Sequence, residues 1–385
     1  MSASEQALLP FRLSPPAAGK VDLLIVAGEH SGDQHAAELV NELRARRPDL
    51  AVCALGGPAL AAAGVQVLHD MTASSVVGLV EVLKNYGFFK ALFDETLRWI
   101  GEHRPRAVLF VDYPGLNLRL AKALRERGIS VKGGGTVKTL FYISPQIWAW
   151  KAGRRFTMAR DLDAMAVIFP FEPECYADTD LPVEFVGHPF LAADHEPPVR
   201  FDRDAPVLLL PGSRKQAVAR IFPALLAGCA AYGKREAVVL YPSETIRDVL
   251  LAANPPANVK LLPTGGEAVA ASAVLMSSGT MSLHVALAGI PGAVAYRANP
   301  ITYFIGKLLV KIPYLGIANL LLKEPMYPEY LQGAASPQAL AAELTDSLEN
   351  PARLARTRGQ AERLRTILRQ PAGGTAADWV VKRMG

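Results

Sequence analysis

Short, unbroken apolar runs alternate along this chain with longer stretches in which apolar residues recur every three or four positions. In the first half the runs are residues 21–27, 107–111, 139–143 and 164–169; in the second they are 207–210, 237–241, 274–276 and 293–296. Runs of that length bounded by Gly, Pro or Ser predict buried strands. The stretches between them predict helices. Ala36, Leu39, Val40 and Leu43 follow the first run, and Val218, Ile221, Phe222, Leu225, Leu226 and Cys229 follow run 207–210, with Pro223 expected to kink that helix. Strands alternating with helices predict an α/β chain whose parallel sheets are covered on both faces. A polar passage, 193–206, with Pro197-Pro198, separates the two series. The reading is two doubly wound, Rossmann-like domains facing each other across a cleft. They comprise an extension 1–20, a first domain 21–192, a linker 193–206 and a second domain 207–350. A charged helical segment, 351–385, is expected to pack back on the first domain.

Composition narrows this little. The chain has 385 residues, room for two such domains, and its 50% hydrophobic and 20% charged residues exclude a wholly disordered protein. A formal net charge of +5 suits an anionic substrate or membrane surface without pointing to nucleic acid. Cys53, Cys175 and Cys229 form no CxxC or Cys/His pattern, so neither a disulfide framework nor a zinc site is expected. The first sixteen residues lack the apolar core of a secretory signal. Stretch 301–322 carries Lys307, Lys311, Pro313 and Asn319, which excludes a membrane span there. The expected compartment is the cytoplasm.

Several strand ends carry candidate chemistry, and doubly wound sheets bind ligands at the C-terminal ends of their strands. Gly28, Glu29, Ser31, Gly32 and Asp33 follow the first run. Asp112 follows run 107–111, where a carboxylate serves either as a general base or as a cap of the next helix. Gly212, Ser213 and Arg214, and again Ser278, Gly279 and Thr280, lie between strand and helix. Backbone N–H groups there, with a guanidinium, suit a diphosphate; the plain alternative is a turn with N-capping serines. Neither GxxxxGK[ST], GxSxG nor GxGxxG occurs at these turns. Asp161-Leu162-Asp163 and Asp178-Thr179-Asp180 look like metal-binding Asp-x-Asp pairs but read as solvated turns. Val76, Val77, Leu79, Val80, Val82, Leu83 and Tyr86 span about 220° of a helix, more than a core-facing stripe needs, and Phe88 and Phe89 extend the surplus. A helix buried on two sides, a homodimer contact or a lipid-facing surface would each account for it.

Taken together, the residues resemble the lipid-A-disaccharide synthase family. The resemblance rests on 27–33, Gly56-Gly57-Pro58, Val80-Glu81-Val82-Leu83, Asp112-Tyr113-Pro114, Ser144-Pro145-Gln146-Ile147-Trp148-Ala149-Trp150, Phe169-Pro170-Phe171-Glu172, 185–189, 210–214 and Asn319-Leu320-Leu321. It implies a GT-B glycosyltransferase that uses UDP-2,3-diacylglucosamine as donor and 2,3-diacylglucosamine 1-phosphate as acceptor. No metal or other cofactor is implied. By the match Asp112 falls on the aspartate proposed as catalytic base, Arg214 on the phosphate-contacting arginine and Asn319 on a functional asparagine. The family binds the inner membrane surface peripherally, which favours a lipid-facing role for Val76, Val77, Val80, Leu83, Phe88 and Phe89. His284 stands where the family usually has a glutamate that accepts hydrogen bonds from the ribose, and a neutral imidazole keeps one acceptor nitrogen. Another UDP-sugar enzyme of the same fold, or a non-catalytic UDP-sugar binding homologue, remains a different reading of the same loops.

Overall fold

A computed structural model describes residues 12–72, 86–192, 195–233, 235–299 and 312–385. The chain divides into two compact units, one comprising Met1–Pro189 with Pro371–Gly385 and the other Phe190–Gln370.

The first unit is built on seven parallel strands: β1 (Leu23–Ala27), β2 (Val52–Gly56), β3 (Gln66–Asp70), β4 (Ala107–Val111), β5 (Lys138–Tyr142), β6 (Ala164–Val167) and β7 (Val183–Phe185). Their order across the sheet is β3-β2-β1-β4-β5-β6-β7. Every residue of β1, β2, β4 and β6 is buried, because helices cover both faces of the sheet. The strand order reverses direction between β1 and β4, which are paired with Ala27 opposite Val111. A doubly wound sheet opens its binding crevice at that reversal.

The second unit repeats the plan. After β8 (Val199–Phe201) come β9 (Val207–Leu210), β10 (Ala237–Tyr241), β11 (Val259–Pro263), β12 (Val269–Ala271), β13 (Ala273–Met276), β14 (Gly292–Tyr296) and β15 (Glu329–Leu331). Six of them form a parallel sheet in the order β11-β10-β9-β13-β14-β15, and β12 pairs with β8 in a separate two-stranded ribbon. Here the reversal lies between β9 and β13. The helix Lys215–Tyr232 runs on through Pro223.

The outer segments differ from the expectation. Residues 12–20 do not stand apart. Leu13 is buried, its N–H donates to Glu95 Oε1 (2.9 Å), and the Trp99 indole donates to Ser14 O (2.9 Å). The expected linker contains β8, whose pairing with β12 ties it to the second unit. The helix Pro351–Leu368 also stays with the second unit. Arg353, which reads as a surface charge, is 1% exposed, with Nη2 on Glu343 Oε1 (3.0 Å) and Gly292 O (2.8 Å). Only 371–385 joins the first unit. There Trp379 and Val380 of the helix Ala376–Met384 are buried, and Arg46 Nε meets Asp378 Oδ1 at 2.6 Å.

Val76, Val77, Val80 and Leu83 lie outside the described residues. Phe88 is 38% exposed and Phe89 half-buried at the start of the helix Tyr86–His103, whereas Leu92 is buried. No helix among the described residues is long and apolar enough to cross a membrane.

Candidate active site

In the first unit the site forms where β1 and β4 end side by side. A Cβ on Gly28 would lie 2.1 Å from the Tyr113 ring, so only glycine lets that ring lie across the loop. Asp112 and Tyr113 both adopt left-handed backbone (φ 47° and 46°). For residues other than glycine this costs on the order of 1–3 kcal/mol each, and such strain gathers at functional sites. The surroundings hold it in place. Asp112 N donates to Tyr142 O (3.0 Å), and the buried Asn117 Nδ2 donates to Asp112 O (2.7 Å), reaching also Val26 O (3.3 Å) and Val111 O (3.4 Å). Asn117 thus bridges the two strand ends and aims the half-buried Asp112. Burial, then the nearby Glu29 charge, raise the Tyr113 phenol above its ordinary range.

The glycine-rich loop divides. Glu29 and Ser31 are half-buried at the strand ends, whereas Gly28, Gly32 and Asp33 are buried. Asp33 accepts from Gly57 N (2.7 Å), Ala59 N (2.9 Å) and Leu60 N (3.3 Å), so its carboxylate is consumed in capping the helix Pro58–Ala62. That corrects its expected place in an acceptor loop.

Two blocks separate in the sequence pack as one. Ile143, just past β5, has φ 68°, a rare value for a β-branched residue. The next residue, Ser144, shares a 2.6 Å hydrogen bond with Tyr176 Oη. Trp148 meets Phe171 edge-on (5.7 Å), and Phe171 stacks on Phe169 (5.8 Å). Below these rings Glu172 is 1% exposed and accepts from Phe169 N at 3.0 Å. Burial pushes its carboxyl up to about 7.

In the second unit three segments converge beyond β9 and β13. Gly212 is left-handed (φ 106°), and a Cβ there would meet Ser277 Oγ at 2.9 Å. Ser277 N in turn donates to Leu210 O (2.8 Å), so the two turns lie against each other. Arg214 heads the helix Lys215–Tyr232, exposed beside Ser213, and its guanidinium has no partner among the described residues. Gly279 heads the helix Thr280–Leu287, with Ser278 and Thr280 exposed. Two helix N-termini and a guanidinium at neighbouring strand ends make a cationic edge.

The third segment departs from expectation. Asn319 is fully buried; Oδ1 accepts Met326 N (2.9 Å) and Tyr327 N (3.0 Å), and Nδ2 donates to Tyr327 O (2.7 Å) and Glu329 Oε1 (2.9 Å). Its amide is saturated by the protein, so Asn319 holds a loop rather than presenting itself to a ligand. His284 is buried one turn into its helix, its ring stacked on Phe190 (3.6 Å between centroids) and near His195 (5.1 Å). It sits in an aromatic stack, not on the exposed turn. A cavity of about 680 Å³ in this unit opens at the opposite, N-terminal ends of the strands, beside Pro206, Glu236 and Ser272, away from these turns.

The Asp-x-Asp pairs hold arginines and backbone. Asp161 is not solvated as expected; it is buried and bonded to Arg125 Nε (2.6 Å) and Arg160 Nε (2.8 Å). Asp163 accepts from Thr139 N (2.7 Å), and Asp178 pairs with Arg155 (2.6 Å). Among the described residues no three His, Cys, Asp or Glu side chains gather as a metal would require. Local sequence carried no sign of the bracing parts of Asn117 and Glu329, and although Glu172 belongs to the block 169–172 its burial beneath the rings had no local mark.

Comparison with known proteins bears on the family and the fold. The lipid-A-disaccharide synthetase family model matches residues 23–381. A lipid-A-disaccharide synthase of Geobacter metallireducens is 36% identical over 372 residues, covering 90% of this chain and 92% of its own. Lipid-A-disaccharide synthase 1 of Legionella pneumophila is 38% identical over 329 residues, covering 80% and 83%. Among solved structures, Arabidopsis thaliana UGT89C1 complexed with UDP-L-rhamnose superposes with a TM-score of 0.59 at 13% identity, covering 94% of this chain and 98% of its own. The glycotransferase of kitacinnamycin superposes with a TM-score of 0.54 at 17% identity, covering 94% and 99%. These structural likenesses show the GT-B fold. On the family match, the chain belongs to the lipid-A-disaccharide synthase family of glycosyltransferases.

Proposed function

We propose that this chain transfers 2,3-diacylglucosamine from UDP-2,3-diacylglucosamine to 2,3-diacylglucosamine 1-phosphate, inverting the anomeric centre. The products are a β-1,6 linked disaccharide and UDP. The observation that carries the reading is the pair of adjoining helix-start turns, Gly212–Arg214 and Ser277–Thr280, with the unpartnered Arg214 guanidinium beside them. Such an edge suits the charge that develops on UDP as the sugar–phosphate bond breaks, because its N–H dipoles are fixed beforehand and the guanidinium is free to close on the phosphate. The reading gives no step to a metal ion.

In the first unit Asp112 takes the proton from the acceptor's 6-hydroxyl. The oxygen bonds to the anomeric carbon as the bond from that carbon to UDP breaks, and the pair of electrons leaves with the diphosphate. Gly28, Glu29 and Ser31 border the acceptor on this reading. The half-exposed Phe88 and Phe89 support contact with acyl chains, and the protein works peripherally at the inner face of the cytoplasmic membrane. The purified protein, incubated with both diacyl substrates, should yield the disaccharide by mass together with free UDP. UDP binding without disaccharide would leave a nucleotide-sugar binder instead.

A further inference from the structure

Leu315, at the edge of the second unit's cationic turns, is gripped from both sides. Its carbonyl accepts from Ser278 Oγ (3.1 Å), a hydroxyl of the Ser277–Thr280 turn. Its N–H donates to Glu329 Oε2 (2.8 Å). The same carboxylate accepts from Gly316 N and Asn319 Nδ2, each at 2.9 Å. Glu329 opens β15, whose pairing with β14 (Glu329 opposite Val294) roots it in the sheet. The sheet's edge strand is thus linked through one carboxylate and one peptide group to the exposed turn.

We propose that Glu329 is a positioning residue for the nucleotide-binding turn, acting through Leu315 on Ser278 and held in place by Asn319. This rests on the donor-site reading above. A carboxylate can accept several N–H bonds at once, and charge-assisted bonds are the strong ones. Oε1 accepts from Leu315 N (3.0 Å), Gly316 N and Asn319 Nδ2, and Oε2 from Leu315 N alone, so a glutamine that keeps its oxygen at the Oε1 place turns its NH2 donor against the Leu315 N–H. Asn319 then matters to the reaction without touching the substrate, because its amide keeps Glu329 and the 326–327 backbone in register.

The test is a double-mutant cycle read by UDP titration and donor kinetics. Glu329→Gln should raise the UDP Kd and the donor KM by about tenfold, the scale of one lost charge-assisted bond. The acceptor KM should stay unchanged. Glu329→Asp, which keeps the charge, should recover part of the affinity. Ser278→Ala should weaken UDP by itself, and adding it to Glu329→Gln should cost little more, since both cut the same link. Additive losses would overturn the proposal, as would unchanged UDP affinity in a folded Glu329 variant. If Glu329→Gln does not fold, the cycle is run with Glu329→Asp under the same criteria. A wild-type protein that fails to bind UDP sinks the donor-site reading and this one with it. Normal wild-type binding with an indifferent Glu329 overturns the link alone.

Discussion

Asp112 and Arg214 stand at strand ends in different units, so each can be tested without disturbing the other. Asp112→Asn keeps the side chain's shape but removes its basicity; turnover should fall by roughly 10²–10⁴ with UDP affinity intact. Near-normal turnover would return Asp112 to a purely structural part. Arg214→Ala should cost about 1.5–3 kcal/mol of binding to UDP itself, the size of a hydrogen bond to a charged group, and calorimetric titration would detect it. His284 is a residue whose meaning changes once its surroundings are known. The family resemblance sets it at a ribose contact, with a place in the core as the alternative; in the structure its ring is buried on Phe190. A carboxylate buried there would be desolvated. His284→Glu should therefore melt roughly 5–10 °C lower and bind UDP no more tightly. A glutamate variant of unchanged melting temperature and improved affinity would place the residue back on the nucleotide.

At the level of elements, legibility follows burial. β1, β4, β6 and β9 are apolar throughout, and their runs stand out in the sequence. β3 and β11 lie at sheet edges, carry Gln66, His69, Asp70 and Lys260, and give no such run. β7, β8, β12 and β15 have only three residues each, too few for periodicity to show. The turns of the candidate site were legible because glycine and serine punctuate them. What braces those turns was not, since Asn117 and Glu329 act on backbone groups that no local pattern marks. Glu172 is a further case, and it has a pH signature. Its carboxyl, lifted by burial to about 7, keeps a proton in the folded chain that the unfolded chain gives up nearer 4.5. The folded state therefore binds the extra proton between those values, and this contribution to stability is lost as pH rises through 7. Unfolding in urea should show wild type losing up to roughly 3 kcal/mol from this group between pH 5 and 8. Glu172→Gln should flatten that slope. An unchanged slope in the variant would mean that Glu172 stays ionised throughout.

At the level of the whole molecule the chain crosses between units twice, near Pro189 and near Gln370. The second crossing delivers the helix Ala376–Met384 to the first unit. Lys138 Nζ donates there to Arg383 O (2.8 Å), and Lys382 and Arg383 both pair with Glu184. Deleting 371–385 should destabilise the first unit, exposing the flank of the helix His30–Arg46 and of β5 to urea and protease, while UDP titration of the second unit changes little. Loss of both together would show that the units do not unfold independently. The same interleaving sets an order on biosynthesis. Chains usually fold N-terminal domain first as they leave the ribosome, at about 5–20 residues per second. Here the second unit is continuous, so it can close as soon as it has been translated. The first must wait about ten seconds or more for its last helix, with its sheet made but one flank bare. During that interval the nascent chain offers chaperones an apolar surface that the finished protein hides under Trp379 and Val380.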